Sequence, residues 1–232
     1  MTPSQETSSA GFRHRILGGR TRPLTILHPT AFDAAPGAHA LAAVTLVLGG
    51  ARSGKSRFAE ALVAAHVGRR VYLATAEAKD SEMAARIREH RARRGVAWVT
   101  VEEPLDLVAA LSRERGGGSA VLVDCLTLWI SNLMSAGRDV PGEATRLVDS
   151  LPRLGAPVVV VANEVGLGIV PDNALARRFR DEAGRLNQAV AAAAQRVYFL
   201  AAGLPMILKG AVESQATKQM NHRDAETQRV PR

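Results

Sequence analysis

At 232 residues, 47% of them apolar and only 4% aromatic, the chain suits one α/β domain with a single aliphatic core and excludes a disordered or fibrous protein. Half of its net charge of +8 sits in the two ends, residues 1–43 and 209–232 at +2 each, with no basic block or interleaved aromatics, which argues against a nucleic-acid partner. The single cysteine, Cys125, excludes an intrachain disulfide; no apolar run reaches the roughly 18 residues of a membrane span and the first residues lack the order of a secretory signal, so a cytoplasmic protein is expected.

Residues 1–43 mix Pro, Thr, Gly and Ala without a sustained period and read as an irregular or disordered extension. A strand–helix rhythm then begins. Val44–Leu48 is a short aliphatic strand that runs into a Gly-rich loop, and Lys55–His66 is a helix with Phe58, Leu62 and Ala65 on one face. Val71–Thr75 is a second strand. Asp80–Arg94 opens on capping residues and sets Met83, Ile87 and His90 at i, i+4 and i+7 of a helix. Val96–Val101 is a third strand and Leu105–Ser112 a short helix. Ala120–Asp124 is a fourth strand leading into the helix Leu126–Met134, with a further helix near Glu143–Leu151. Pro157–Ala162 is the fifth strand, residues 163–173 form a long loop, and Ala174–Gln195 is a long helix. Val197–Gly203 is the last strand, which Pro205–Leu208 extends or pairs with; residues 209–232 read as a disordered polar tail. The catalytic domain is therefore expected over 44–208.

Alternating strands and helices call for a mostly parallel sheet with helices on both faces. Runs such as Val158–Val161 suit strands buried on both sides. Ligands of such sheets bind at the carboxyl ends of the strands. The Gly-rich loop, Thr75, Asp124 and Asn163–Glu164 all fall at such ends.

The loop reads Gly49-x-x-x-x-Gly54-Lys55-Ser56, a phosphate-binding pattern between a strand and a helix. It marks the fold as P-loop NTPase-like (RecA-like). Glycines at 49, 50 and 54 allow a tight curl, so that the N–H groups from Gly49 through Ala51, Arg52 and Ser53 can face phosphate oxygens. The helix that follows adds its positive end. Lys55 would reach the β- and γ-phosphates, and the Ser56 hydroxyl would hold Mg²⁺. Asp124, at the end of a hydrophobic strand, suits a Mg²⁺ carboxylate. It also suits the N-cap of the next helix, and both roles stay open.

Phosphate binding leaves the reaction undecided. The longer wording "TLVLGGARSGKS" (45–56), "EMAARIREHR" (82–91) and "NEVGLGIVPDNALARRFRDEAGRLNQ" (163–188) together closely resemble the bifunctional adenosylcobinamide kinase / adenosylcobinamide-phosphate guanylyltransferase family of cobalamin biosynthesis. The resemblance spans about Val44 to Leu208 and leaves out both ends.

It implies two reactions. ATP or GTP phosphorylates adenosylcobinamide; GMP then passes from GTP to that phosphate through a GMP-histidine intermediate, releasing pyrophosphate. By resemblance the nucleophile is His90, just after the "MAARI" stretch. Some relatives have two adjacent histidines there; here Glu89 precedes His90 and leaves one candidate. The helix pattern alone would instead pack His90 beside Met83 and Ile87. The resemblance also assigns nucleotide contact to Arg91, Ala92, Arg93 and Arg94, to Thr75, Ala76 and Glu77, and to Glu102, whose carboxylate could accept from guanine N1–H and N2–H₂. It implies a homo-oligomer, a trimer. For Asn163–Pro171 it leaves corrinoid contact and subunit contact both open. The competing readings are an enzyme that keeps one of the two activities, and a nucleic-acid-dependent ATPase or nucleotide-binding module; a histidine carrier would separate them.

Overall fold

The computed structural model of the protein describes residues 41–78, 81–116 and 118–210. In chain order the elements are β1 (Val44–Gly49), α1 (Lys55–Ala64), β2 (Arg70–Ala74), α2 (Ser81–Arg94), β3 (Trp98–Glu102), α3 (Leu107–Arg113), β4 (Ala120–Asp124), α4 (Leu126–Ser135), α5 (Val140–Ser150), β5 (Val158–Asn163), α6 (Ala174–Ala193), β6 (Arg196–Ala201) and β7 (Leu204–Lys209). Seven strands form one sheet in the order β3-β2-β4-β5-β1-β6-β7. Every pairing is parallel except β6 with β7.

Alternation along the central strands feeds two cores. Val44, Leu46 and Leu48 of β1 and Val158, Val160 and Ala162 of β5 face one side. There they meet Leu107 and Leu111 of α3, Trp129 and Leu133 of α4, Leu147 of α5 and Leu186 and Val190 of α6. Val47, Val159 and Val161 face the other side, against Phe58, Ala59 and Val63 of α1. Strands buried on both faces need apolar residues at consecutive positions, which explains the unbroken aliphatic runs. At roughly 25 cal/mol per Å² of apolar surface, these layers supply most of the driving force for folding. Helices on both faces of a mostly parallel sheet are as the sequence predicts.

Several details differ. The buried face of α1 is Phe58, Ala59 and Val63, while Ala65 is exposed and caps the helix. The strand expected from Val96 begins at Trp98, because Gly95–Ala97 form a 3₁₀ turn with Gly95 at φ +66°. Of the two expected arrangements for Pro205–Leu208 the pairing one holds: they lie in the antiparallel strand β7 beside β6, reversed by Ala202 (φ +52°) and Gly203 (φ +81°). The ordered frame also reaches past 44–208. Leu41 packs on the α1-side core, Ala43 accepts a hydrogen bond from the Val158 N–H at 2.9 Å, and Lys209 Nζ caps α6 at the Ala191 and Ala192 carbonyls, 2.9 and 2.8 Å away. Lys at a helix C-terminus satisfies orphan carbonyls and complements the dipole there. The rest of the predicted extension and tail, 1–40 and 211–232, lies outside the described residues.

Candidate active site

The carboxyl ends of β1, β2, β4 and β5 open onto a cavity of about 590 Å³. Its floor is the Gly-rich loop, built by constraint at each end. Gly49 has φ +153°, and a Cβ there would stand 2.4 Å from the Leu200 carbonyl oxygen of β6, so only glycine fits. Gly54 caps α1 at φ +93°. Between them Arg52 also takes a left-handed φ of +53°. The loop is braced from outside: the Gly203 N–H of the β6–β7 turn donates to the Ser53 carbonyl at 3.1 Å, and the Glu164 N–H donates to the Gly49 carbonyl at 3.0 Å. Lys55 is buried, and its Nζ donates to the Gly50 carbonyl at 2.6 Å, curling back over the loop. Backbone N–H groups, a helix N-terminus and an ammonium group thus converge on one concavity, the arrangement that holds a polyphosphate.

Asp124 ends β4 at the wall of this cavity. Its Oδ2 accepts a hydrogen bond from the Tyr72 hydroxyl of β2 at 3.0 Å. Burial first, and Asp124 second, push the Tyr72 phenol well above its ordinary range, so Tyr72 is a donor at any working pH. The N-cap role for Asp124 does not hold. Cys125 occupies the cap of α4, which has no side-chain cap bond, because Asp124 belongs to the strand and turns to Tyr72. Cys125 is a buried free thiol, as expected; burial, with Asp124 adding to it, pushes its pKa up to about 11.

Ser56 and Asp124 line the same cavity and offer a hydroxyl and a carboxylate oxygen. That donor set fits a small hard cation such as Mg²⁺, which takes one or two carboxylates and fills its shell with phosphate oxygens and water. Such a site needs no larger cluster, and among the described residues no group of three His, Cys, Asp or Glu is gathered.

The opposite wall comes from α2, β2 and β3. Ile87, Glu89, Arg91 and Arg94 of α2 line the cavity, with Ala74 at the end of β2, Ala76 just after it and Glu102 at the end of β3. Arg91 Nη2 and Glu102 Oε1 pair at 2.5 Å, both side chains more than half exposed. Arg94 is buried. Its guanidinium carbon lies 3.3 Å from the centre of the Tyr72 ring, and its Nη1 stands 3.5 Å from Oε1 of Glu60 on α1. Ala92 is exposed on α2 outside the cavity wall. His90 lies on α2 between Glu89 and Arg91; its side chain, like those of Met83 and Arg93, is outside the described residues.

Two expected contacts are corrected. The Thr75 side chain is fully buried away from the cavity: its hydroxyl donates to the Cys125 carbonyl at 2.7 Å and accepts from the Cys125 N–H at 2.8 Å. With its only donor committed and the side chain fully buried, this hydroxyl is tied to the strand ends and is not presented to a nucleotide. Glu77 is exposed and does not line the cavity. Conversely, sequence reasoning missed Tyr72 and Glu60. Tyr72 carried a signal, one of two tyrosines in the chain, near the ligand end of a buried strand. A buried glutamate on an amphipathic helix carried none.

The remaining predicted loop, residues 163–173, packs its polar ends and exposes its middle. The Asn163 N–H donates to Thr127 Oγ1 at 2.7 Å, Glu164 Oε1 accepts from the Gly166 N–H at 2.6 Å, and Asn173 caps α6 by accepting from the Ala176 N–H at 3.0 Å. Leu167, Ile169 and Val170 are exposed.

With this geometry in hand, the chain can be set beside known proteins. The sequence profile of the family described as cobinamide kinase / cobinamide phosphate guanyltransferase matches residues 45–208. The bifunctional adenosylcobalamin biosynthesis protein CobP of Pseudomonas aeruginosa is 54% identical over 168 residues, covering 71% of this chain and 96% of that one. The bifunctional adenosylcobalamin biosynthesis protein CobU of Salmonella typhimurium is 41% identical over 179 residues, covering 71% and 98%. Among solved structures, the flagellar accessory protein FlaH of Methanocaldococcus jannaschii overlays with a TM-score of 0.46 at 11% identity, over 81% of this chain and 88% of that one, too distant to add to the assignment. Identity at this level across nearly the whole length of two bifunctional relatives, together with a family match that begins at the phosphate-loop strand and ends in β7, establishes that the chain belongs to the cobinamide kinase / cobinamide phosphate guanyltransferase family.

Proposed function

We propose that this enzyme performs both reactions of its family: it phosphorylates adenosylcobinamide with ATP or GTP, then transfers GMP from GTP to give adenosylcobinamide-GDP and pyrophosphate. The observation that carries the reading is the shared cavity. The phosphate loop with Lys55, Ser56 and Asp124 forms one wall, and the α2 turn Glu89–Arg91, which includes His90, forms another.

In the kinase step the loop N–H groups and Lys55 hold the terminal phosphates, so that the corrinoid hydroxyl attacks the γ-phosphorus in line. Lys55 already reaches inward to Gly50, and a phosphate oxygen would replace that carbonyl as its acceptor. Ser56 and Asp124 would hold Mg²⁺, which when bound neutralises charge on the β- and γ-oxygens. In the transfer step the unprotonated His90 ring nitrogen forms a bond to the α-phosphorus of GTP as the bond to pyrophosphate breaks. An oxygen of the corrinoid phosphate then attacks the same phosphorus and frees the histidine. Arg91, Arg93 and Arg94 supply positive charge for the triphosphate and the leaving pyrophosphate. Backbone groups of Gly49–Ser56 border the nucleotide together with Ala76, which lines the cavity after β2, and Glu102, held at 2.5 Å by Arg91, is the acceptor for the guanine edge.

We further propose that the catalytic domain is the 44–208 unit, with Leu41, Ala43 and Lys209 completing its frame, that it works in the cytoplasm beside its nucleotide substrates, and that it forms a homo-oligomer, a trimer by resemblance. The exposed Leu167, Ile169 and Val170 offer apolar surface for that association or for the corrinoid. Incubating the purified chain with adenosylcobinamide, ATP, GTP and Mg²⁺ tests the whole reading by product mass. Adenosylcobinamide-GDP and pyrophosphate are expected. Accumulation of adenosylcobinamide phosphate alone would mean that only the kinase is retained, and no corrinoid product would refute the assignment.

A further inference from the structure

Three side chains join parts of the cavity wall that are distant in sequence. Tyr72 on β2 gives its hydroxyl to Asp124 on β4, and its ring carries the Arg94 guanidinium at 3.3 Å. Arg94 closes α2, one helical turn beyond His90. On its other side Arg94 Nη1 faces Glu60 Oε1 at 3.5 Å, with only 3% and 10% of the two side chains exposed. Glu60 sits on α1, the helix that begins at the phosphate loop. One line of contacts therefore runs from the loop helix, through Glu60, Arg94 and Tyr72, to Asp124.

The chemistry assigned above uses neither Glu60 nor Tyr72, and neither is placed for stability alone. Burying a carboxylate and a guanidinium costs desolvation that their attraction only partly offsets, so such a pair is a poor source of stability. What it fixes well is geometry. Arg94 Nε and Nη1 make no hydrogen bond to the described residues. The seat of Arg94 thus depends on opposite charge from Glu60 and on the face of the Tyr72 ring, a cation–π contact.

We propose that Glu60 and Tyr72 are positioning residues for guanylyl transfer: they seat Arg94 and thereby hold the α2 turn bearing His90 against the phosphate loop and Asp124. The proposal rests on the reading of His90 as the GMP carrier. In-line attack on the α-phosphorus tolerates little misplacement, a shift of about 1 Å costing on the order of 100-fold in rate. Phosphoryl transfer at the loop does not involve α2 and is spared.

The test uses the full chain and GTP labelled at the α-phosphate. The rate of protein labelling at saturating GTP and Mg²⁺ is compared with kinase turnover for wild type, Glu60→Gln, Tyr72→Phe, Tyr72→Leu and His90→Ala, with circular dichroism reporting the folded fraction. Glu60→Gln is expected to slow labelling by about 10-fold or more while kinase kcat per folded enzyme stays within about twofold, a split that a merely structural role would not produce. Tyr72→Leu, which removes the ring, is expected to slow labelling more than Tyr72→Phe, which keeps it. Glu60→Gln labelling at the wild-type rate would overturn the positioning role alone. So would labelling and kinase turnover that fall together with the folded fraction. No label in wild type, or full label in His90→Ala, would overturn the underlying reading of His90 and this proposal with it.

Discussion

Thr75 and Cys125 exchange two hydrogen bonds through one hydroxyl: Thr75 Oγ1 donates to the Cys125 carbonyl at 2.7 Å and accepts from the Cys125 N–H at 2.8 Å. The Thr75 N–H also donates to the Asp124 carbonyl at 3.2 Å, and Asn132 Nδ2 donates to the Thr75 carbonyl at 2.8 Å. These bonds lock the end of β2 to the point where β4 turns into α4, so the strand end that presents Asp124 cannot drift. Thr75→Val keeps the shape but strands the buried Cys125 N–H, while the Cys125 carbonyl keeps only the Trp129 N–H at 3.2 Å. It is expected to cost about 2–3 kcal/mol and to lower Tm by roughly 5–10 °C. The KM for nucleotide per folded enzyme should stay within about twofold. Thermal unfolding and kinetics on the same sample check this; a raised KM with an unchanged Tm would restore Thr75 as a nucleotide ligand.

The phosphate loop makes a sharper demand. Gly49→Ala would set a methyl group 2.4 Å from the Leu200 carbonyl and 2.7 Å from Ser53 Oγ, at a φ of +153°. Backbone on one side and the loop on the other leave no cheap escape. The expected outcome is a loss of at least about 2 kcal/mol, in the range of strained or overpacked sites, measured by chemical denaturation.

Lys55→Ala removes the ammonium that converges on the loop, and with it the bond to the Gly50 carbonyl. Kinase kcat should fall by about 100-fold or more, the scale of losing a fixed charge at a transferring phosphate. Steady-state kinetics with ATP check this, and unchanged turnover would contradict the role of the loop.

Asp124→Asn keeps a hydrogen-bond acceptor for Tyr72 but removes the negative charge. We expect kinase turnover to fall by about 100-fold or more at ordinary Mg²⁺, with partial recovery as Mg²⁺ is raised. A Mg²⁺ titration of turnover reads this out; a Mg²⁺ dependence identical to wild type would remove Asp124 from the metal site.

Cys125 gives a prediction about pH. Its pKa is pushed up to about 11, chiefly by burial, so the group is a neutral thiol throughout pH 7–9. The thiolate is the reactive form, and raising the pKa shrinks its fraction. Alkylation by iodoacetamide at pH 8 should be far slower in the folded chain than in guanidinium, where the ordinary thiol pKa returns. Rapid labelling of the folded protein would contradict this burial.

The sheet was legible because its strands are buried on both faces. Unbroken aliphatic runs such as Val158–Val161 have few alternatives to a central parallel strand. Element ends were less so: Ala65 continues the helical period of α1, yet the chain leaves the helix after Ala64 on its way to Gly68 (φ +138°) and β2. The phosphate loop was legible as a motif, since its spacing encodes its geometry. Glu60, Tyr72 and Arg94 were not, because their partnership joins α1, β2 and α2, and no local pattern records a contact made across three elements. Thr75 misled for a related reason. A polar residue at the ligand end of a strand serves equally to bind a nucleotide or to tie two strand ends, and only the fold reveals the Cys125 backbone beside it.

We propose that one cavity joins a phosphate loop to the α2 turn Glu89–Arg91, whose His90 carries GMP. Incubation of the wild-type chain with GTP labelled at the α-phosphate, followed by acid and alkali treatment, tests it most directly. The predicted result is a covalent label, labile in acid and stable in alkali, that is lost in His90→Ala and discharged by adenosylcobinamide phosphate. A folded wild-type protein that takes no label, or a label that survives in His90→Ala, would contradict it.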